Sequence, residues 1–276
     1  MANLFKKNEC YNCHSRYDVT RKTCPVCLSA NDKFNELKID PKTLWLSWPS
    51  QLGLFLIGFF GLSVLGSILS SIFANSGLDV YLASIIINSI AYLVVLGALI
   101  PIIFPHIKDI FNGFKSGKNI AMGFAFLGMM LASNFIYNLI VYVILKQPQS
   151  VNNNEGAIES IVSIYPVASL LIFGIVGPIC EELTYRLGLF TFFKRINRVL
   201  AYILTIIIFA SIHFDFSSFA NPEALRVELL ALPTYVIAGF LLTFAYDKFS
   251  LSTSLIAHIA NNVTAMLLQL IMARFA

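Results

Sequence analysis

The chain has 276 residues, 57% hydrophobic and 12% charged, with a mean hydropathy of +0.76. Soluble globular domains carry about 25% charged residues, so an ordinary soluble domain is excluded. The composition predicts an all-α polytopic membrane protein of about seven to eight transmembrane helices behind a small polar segment. Residues 1–50 hold 8 Lys/Arg and 5 Asp/Glu, and residues 51–276 hold 11 and 10. This modest positive charge is a topology signal, not the footprint of a nucleic-acid binder. The first apolar run begins near Leu52, so no cleavable signal peptide is expected.

Four of the five cysteines fall in the first 27 residues, as two Cys-x-x-Cys pairs, Cys10/Cys13 and Cys24/Cys27. Each pair offers two thiolates from one tight turn, and two such turns complete a tetrahedron around zinc. A segment of residues 1–30 is too short to bury its own core, so the metal would supply its folding energy. Tyr17–Thr20 suits a small hairpin between the pairs. Glycine, common after such knuckles, is replaced by His14 and Leu28. The segment resembles a zinc ribbon, which implies a structural zinc and a reducing, cytosolic surrounding. Two disulfides in an exported segment are the competing reading. Lys6, Lys7, Arg16, Arg21 and Lys22 are basic, but with little aromatic interleaving a protein partner is expected here before a nucleic acid.

Residues 31–50 read as a linker and interfacial segment, with Trp45 and Trp48 at the membrane boundary. Membrane spans are expected at 51–74, 79–104, 119–145, 166–192, 199–219, 227–246 and 251–272. Pro178 and Pro233 fall inside spans and should kink them. Lys108, Lys115 and Lys118 lie in one loop, Lys194, Arg195 and Arg198 in another, and Lys248 in a third. The positive-inside rule puts these loops on the same side as the basic N-terminal segment. A further interfacial helix is expected near Ala157–Tyr165, with Ile158, Ile161, Val162 and Tyr165 on one face. His106 and Asp109 read as surface loop residues, and Asn88, Asn134 and Asn138 as interhelical hydrogen-bonders.

Glu181, Glu182 and Arg186 interrupt an apolar stretch, and His213, His258 and Asn262 interrupt two others. A charge at the centre of a bilayer costs at least ~2.5–3.5 kcal/mol, so such residues point to function. Glu182 and Arg186 are i,i+4 neighbours that can pair on one helix face. Glu181 is rotated about 100° from Glu182 and can face a different cavity, where it would lack a cationic partner. Phe209/His213 and His258/Asn262 share faces by the same spacing. With a rise of ~1.5 Å per residue, Glu181, His213 and His258 fall within roughly 12 Å in depth, so they can converge on one site. Buried Cys180 beside Glu181 would be inert as a nucleophile.

Three motifs carry a family likeness: Glu181-Glu182-Leu183-Thr184-Tyr185-Arg186, Phe209-Ala210-Ser211-Ile212-His213 and His258-Ile259-Ala260-Asn261-Asn262. Over roughly residues 160–270 the chain resembles the CAAX protease and bacteriocin-processing (CPBP) intramembrane proteases. The resemblance implies a protease domain over 51–276. In it Glu181 would be the general base assisted by His213, and His258 and Asn262 would stabilise the oxyanion. Glu182, Arg186 and Phe209 would support the site. The implied substrate is a peptide or a membrane-anchored protein, lipidated or leader-bearing, hydrolysed by activated water with or without a catalytic metal. A proton-linked transporter, or a non-catalytic scaffold or immunity protein, would use the same buried groups differently.

Overall fold

The computed structural model describes residues 7–18, 21, 23–31, 46–146 and 151–274. Trp45, Lys6, Lys22, Thr20 and most of the expected linker lie outside the described residues. At the N-terminal end, β1 (Lys7–Glu9) pairs antiparallel with β2 (Arg16–Asp18), with Asn8 opposite Tyr17. Two matching knuckles follow the strands. The Cys10 amide donates to the Ser15 carbonyl and the His14 amide to the Cys10 carbonyl, and Cys24, Ser29 and Leu28 repeat the pattern. His14 and Leu28 adopt φ of 55° and 61°, the left-handed position that glycine would take without strain.

The remainder is helical: α1 (Trp48–Phe73), α2 (Val80–Ile103), α3 (Ile107–Phe114), α4 (Gly117–Leu145) and α5 (Asn153–Ile164) come first. A long bent span, Pro166–Lys194, follows, then α9 (Arg198–Ser211), α10 (Pro222–Lys248) and α11 (Leu251–Met272). Among the described residues, six helices are long and apolar enough to cross a membrane, and α9 is a shorter apolar helix. With α5, these make up the seven to eight expected. Alternating direction puts the α2–α4 and α10–α11 connections, and the one from the bent span to α9, at the ribbon end of the bundle, with their basic residues. α5 lies at the opposite end.

The bent span is built from α6 (Pro166–Leu171), a π-helical stretch Ile172–Val176, α7 (Gly177–Glu181), a second π-helical stretch Glu182–Phe190, and α8 (Thr191–Lys194). Pro178 follows directly on the first wide turn. There a π-turn relieves the clash that a proline ring makes with the carbonyl one turn back. This span is the core of the bundle: 61% of its apolar window is buried inside the protein, against 11–28% for the other five spans. Its close packing on α1 uses two glycines. A Cβ on Gly188 would lie 2.8 Å from the Phe55 amide nitrogen, and one on Gly58 would overlap the Thr184 side chain.

Several expectations are corrected. The fifth span ends at Ser211 instead of 219, because Asp215 caps a short 3-10 turn, Phe216–Ala220, that turns the chain into α10. His106 and Asp109 are not in a loop: His106 closes a helical turn and Asp109 lies in α3, 3.8 Å from it. The Asn88 amide donates to the Ser84 carbonyl of its own helix, not to a neighbour. The helix expected near Ala157–Tyr165 exists as α5, with Ile161 and Val162 buried and Ile158 and Tyr165 packed beside them.

The ribbon meets the bundle through Arg195, just past the end of the bent span. Its guanidinium donates to the Gln51 side chain and the Leu46 carbonyl, both at 2.7 Å, and to Asp18 of β2 at 3.4 Å. Beside it, Asp247 gathers Lys194 at 2.7 Å, Tyr202 at 2.9 Å and Arg198. The ribbon end of the bundle is thereby closed by paired charges.

Candidate active site

Glu182 is fully buried and fully engaged. Arg186 Nη1 lies 3.1 Å from its Oε1, as the i,i+4 spacing predicts. His258 Nδ1 is 2.9 Å from the same oxygen, and the Ser254 hydroxyl contacts Oε2. The guanidinium of Arg186 also sits over the Phe209 ring, 4.3 Å from its centroid. An ionised carboxylate only accepts hydrogen bonds, so His258 Nδ1 is the protonated donor in that contact. Its Nε2 is then left facing Glu181, whose Oε2 is 3.7 Å away.

Glu181 differs from its neighbour in both packing and partners. It lines a cavity of about 470 Å³, together with His213, His258 and Asn262. His213 hands its Nδ1 to the Phe209 carbonyl at 2.9 Å, leaving Nε2 for the cavity. Its ring contacts Phe209, with centroids 4.9 Å apart, and Tyr235, stacked at 4.4 Å. Asn262 donates to the Phe173 carbonyl, inside the first π-helical stretch, at 3.1 Å, and its second N–H remains for the cavity. The six polar residues singled out from sequence thus divide. Glu181, His213, His258 and Asn262 surround one space, while Glu182 and Arg186 are sealed beside it, with the Phe209 ring against Arg186. Cys180 is buried outside the cavity lining, its thiol 3.6 Å from the Tyr92 carbonyl.

The cavity is lined by α4 from Met130 to Asn134, by α5 from Asn154 to Glu159, and by α11 from His258 to Gln269. These positions run from mid-bundle towards the end where α5 lies, and α3 and α8 contribute nothing. The space therefore opens away from the ribbon. Its volume is in the range of sites that hold a small molecule or a short peptide segment.

Ser254, Tyr235 and Phe173 were not singled out from the sequence. Ser254 lies four residues before His258, so helical spacing alone would have placed it on the same face. Tyr235 and Phe173 carry no such signal, because their contacts come from other helices.

The ribbon thiols are arranged differently. The four Sγ atoms all lie within 4.8 Å of one another, with Cys10–Cys27 at 3.4 Å and Cys13–Cys24 at 3.5 Å. Tetrahedral Zn–S bonds of about 2.3 Å require S···S edges of about 3.8 Å, so the quartet can hold a metal such as zinc with little adjustment. Burial pushes the Cys10 thiol up to about 11, while hydrogen bonds from Ser29 bring Cys27 down to about 6. Among the described residues this is the group of three or more His, Cys, Asp or Glu gathered closely enough for a metal. Glu181, His213 and His258 are not so gathered.

Residues 163–264 match the family model described as Type II CAAX prenyl endopeptidase Rce1-like. All three motifs, from Glu181 to Asn262, lie inside the matched segment. The chain is also similar to an uncharacterized protein of Mycoplasma capricolum subsp. capricolum, 25% identical over 248 residues, covering 83% of this chain and 69% of that one. No solved structure matches. Fold and site together describe a multi-pass membrane protein similar to the intramembrane CAAX-type proteases. The likeness read from the three motifs is the one the family model finds.

Proposed function

We propose that the protein is an intramembrane endopeptidase in which Glu181 activates water against a peptide carbonyl. The observation that carries this reading is the contrast between the two adjacent glutamates. Glu182 is neutralised by Arg186 and locked by His258 and Ser254, whereas Glu181 faces the cavity with two imidazoles beside it. In the proposed reaction Glu181 takes a proton from water as the water oxygen bonds to the carbonyl carbon. The tetrahedral intermediate collapses with loss of the C–N bond, and the proton passes to the leaving amine. His213 assists Glu181. The amide of Asn262 stabilises the oxyanion, joined by His258 in its imidazolium form, where Nε2 carries a hydrogen as well as Nδ1; such a role is worth ~3–4 kcal/mol when one donor is lost. Glu182, through Nδ1 of His258, fixes which nitrogen of that ring faces the reaction. Because the three ligand atoms are not gathered, no step is routed through a catalytic metal.

The substrate class is a peptide or membrane-anchored protein, bound with part of its length in the bilayer. We assign residues 1–30 to a zinc ribbon, 31–50 to the linker and 51–276 to the protease. The zinc is structural, and a protein is the partner suited to the ribbon. The basic residues at the ribbon end support a cytosolic ribbon by the positive-inside rule.

The test is cleavage of membrane-derived and synthetic peptides by protein reconstituted in nanodiscs. Glu181→Ala and His213→Ala should each abolish cleavage while leaving expression and thermal stability intact. Full activity in both would discard the mechanism. Flux of a solute into vesicles without any peptide product would favour a carrier. A phenotype lost with the ribbon cysteines but kept in Glu181→Ala would favour a scaffold.

A further inference from the structure

Tyr235 has no place in the three motifs, yet it touches both the site and the element covering it. Its ring stacks on the His213 imidazole at 4.4 Å with an interplanar angle of 21°. With Nδ1 tied to the Phe209 carbonyl and the Phe209 ring 4.9 Å away, the imidazole has three contacts that fix it. At the far end of the same side chain, the Tyr235 hydroxyl donates to Glu155 Oε1 at 3.2 Å and accepts from Asn152 Nδ2 at 3.4 Å. Asn152 caps α5, and Glu155 lies in its first turn. One residue of α10 therefore joins the imidazole in the cavity to the helix at the cavity mouth.

The rest of the seat of the N-terminal half of α5 is mostly polar. The Asn153 amide donates to Glu228 at 3.1 Å, its side chain donates to Asp215 at 2.6 Å, and the Gln269 amide reaches the Glu159 carbonyl at 2.8 Å. Apolar anchoring comes from Ile161 and Val162, towards the C-terminal end of the helix. The N-terminal half of α5 thus rests on a few hydrogen bonds, of which two end on Tyr235. Such a segment belongs to the low-stability part of a fold, where substrate entry is gated.

We infer that Tyr235 is a positioning residue with two separable actions: its ring orients His213, and its hydroxyl seats α5 over the cavity. The inference rests on the protease reading for its kinetic consequence, but its structural half stands without it. Removing the hydroxyl alone should loosen α5 and change substrate binding, leaving the chemical step intact. Removing the ring should also free the His213 imidazole and slow the chemical step, since general acid–base groups lose their contribution when misplaced.

The experiment compares wild type, Tyr235→Phe and Tyr235→Leu in nanodiscs. Hydrogen–deuterium exchange is read over residues 153–164, and diethyl pyrocarbonate modification is read at His213. Kinetics use whichever internally quenched peptide the wild type cleaves and Glu181→Gln does not. The Phe variant should exchange faster over α5, keep the wild-type modification rate at His213, and change KM with kcat preserved. The Leu variant should show the same fast exchange, faster His213 modification, and kcat lower by roughly tenfold or more. Wild-type exchange in the Phe variant would overturn the seating role. A Leu variant with wild-type modification rate and kcat would overturn the orienting role. If Leu does not fold, Phe with unchanged kcat and unchanged His213 modification still supports the ring's action, and Phe with a lost kcat overturns it. Absence of any cleaved peptide would fail the protease reading alone, since exchange and modification decide the inference without turnover.

Discussion

The ribbon and the bundle each gather polar side chains, and they do so in opposite ways. In the ribbon, four thiols close to within 4.8 Å, three of them supported by Ser15 or Ser29. Nothing is left over: four sulfurs saturate a tetrahedral ion, and a saturated ion holds a fold together. In the bundle, a carboxylate, two imidazoles and a carboxamide stand around a space of about 470 Å³. Their spare atoms face that space, while the charges that could neutralise them are committed to Glu182. The quartet is arranged to be filled, whereas the cavity stays open beside a sealed charge cluster, the arrangement that the proposed hydrolysis needs.

The comparison is broken most forcefully at the quartet. Cys24→Ser should remove the metal and with it the ribbon's folding energy, about 10 kcal/mol or more for such sites. Metal content by mass spectrometry should fall to zero and the 7–31 segment should lose exchange protection, with the bundle still folded. Retained metal would remove the quartet from the account. The sealed cluster comes next. Glu182→Ala leaves the Arg186 guanidinium buried without its carboxylate, at a cost of about 3–5 kcal/mol. The variant should denature well below wild type in a thermal scan, and a wild-type midpoint would show that the cluster is not a structural unit.

Smaller effects sharpen the contrast. Leu28 is exposed and strained at φ 61°, so Leu28→Gly should stabilise the metal-bound ribbon by about 0.5–1 kcal/mol. Competition against a chelator should show a several-fold tighter metal, whereas weaker binding would mean that the Leu28 side chain contributes a contact. The smallest effect is on pH. Desolvation at the cavity mouth raises Glu155 above the ordinary carboxylate range, opposed by the Tyr235 hydroxyl and reinforced by Glu159 and Glu228. A seated α5 then holds its proton to higher pH than a released one. Seating is therefore favoured by acid and weakens as pH rises from the ordinary glutamate value through the raised one. Exchange over 153–164, corrected for the intrinsic rate, should quicken across that window and lose its pH dependence in Glu155→Gln. A slope of opposite sign would contradict the assignment.

Much of this was legible in the sequence, because helical spacing is a local rule. The Glu182–Arg186 pair, the shared face of His258 and Asn262, and the amphipathic α5 all follow from counting three or four residues. Convergence was legible only as a depth argument, and α9 shows its limit. A hydropathy run to 219 conceals a helix that ends at Ser211, which leaves His213 in the turn beyond it. The two π-helical stretches were not legible, since a shift of hydrogen bonds from i−4 to i−5 leaves no mark on hydropathy. They nonetheless place the Phe173 carbonyl against Asn262 and wind the segment from Glu182 to Phe190. Tyr235 was hidden for a different reason: its partners lie on α5 and in the turn after α9, and only the packed bundle brings them together.

The most direct test of the central claim is proteolysis in water enriched in oxygen-18, comparing wild type with Glu181→Gln in nanodiscs. Wild type should place one oxygen-18 in the new carboxyl of the product. Glu181→Gln should lose turnover by about 10²–10⁴-fold while its unfolding midpoint stays at the wild-type value. Turnover preserved in the glutamine variant would contradict a water activated by this carboxylate.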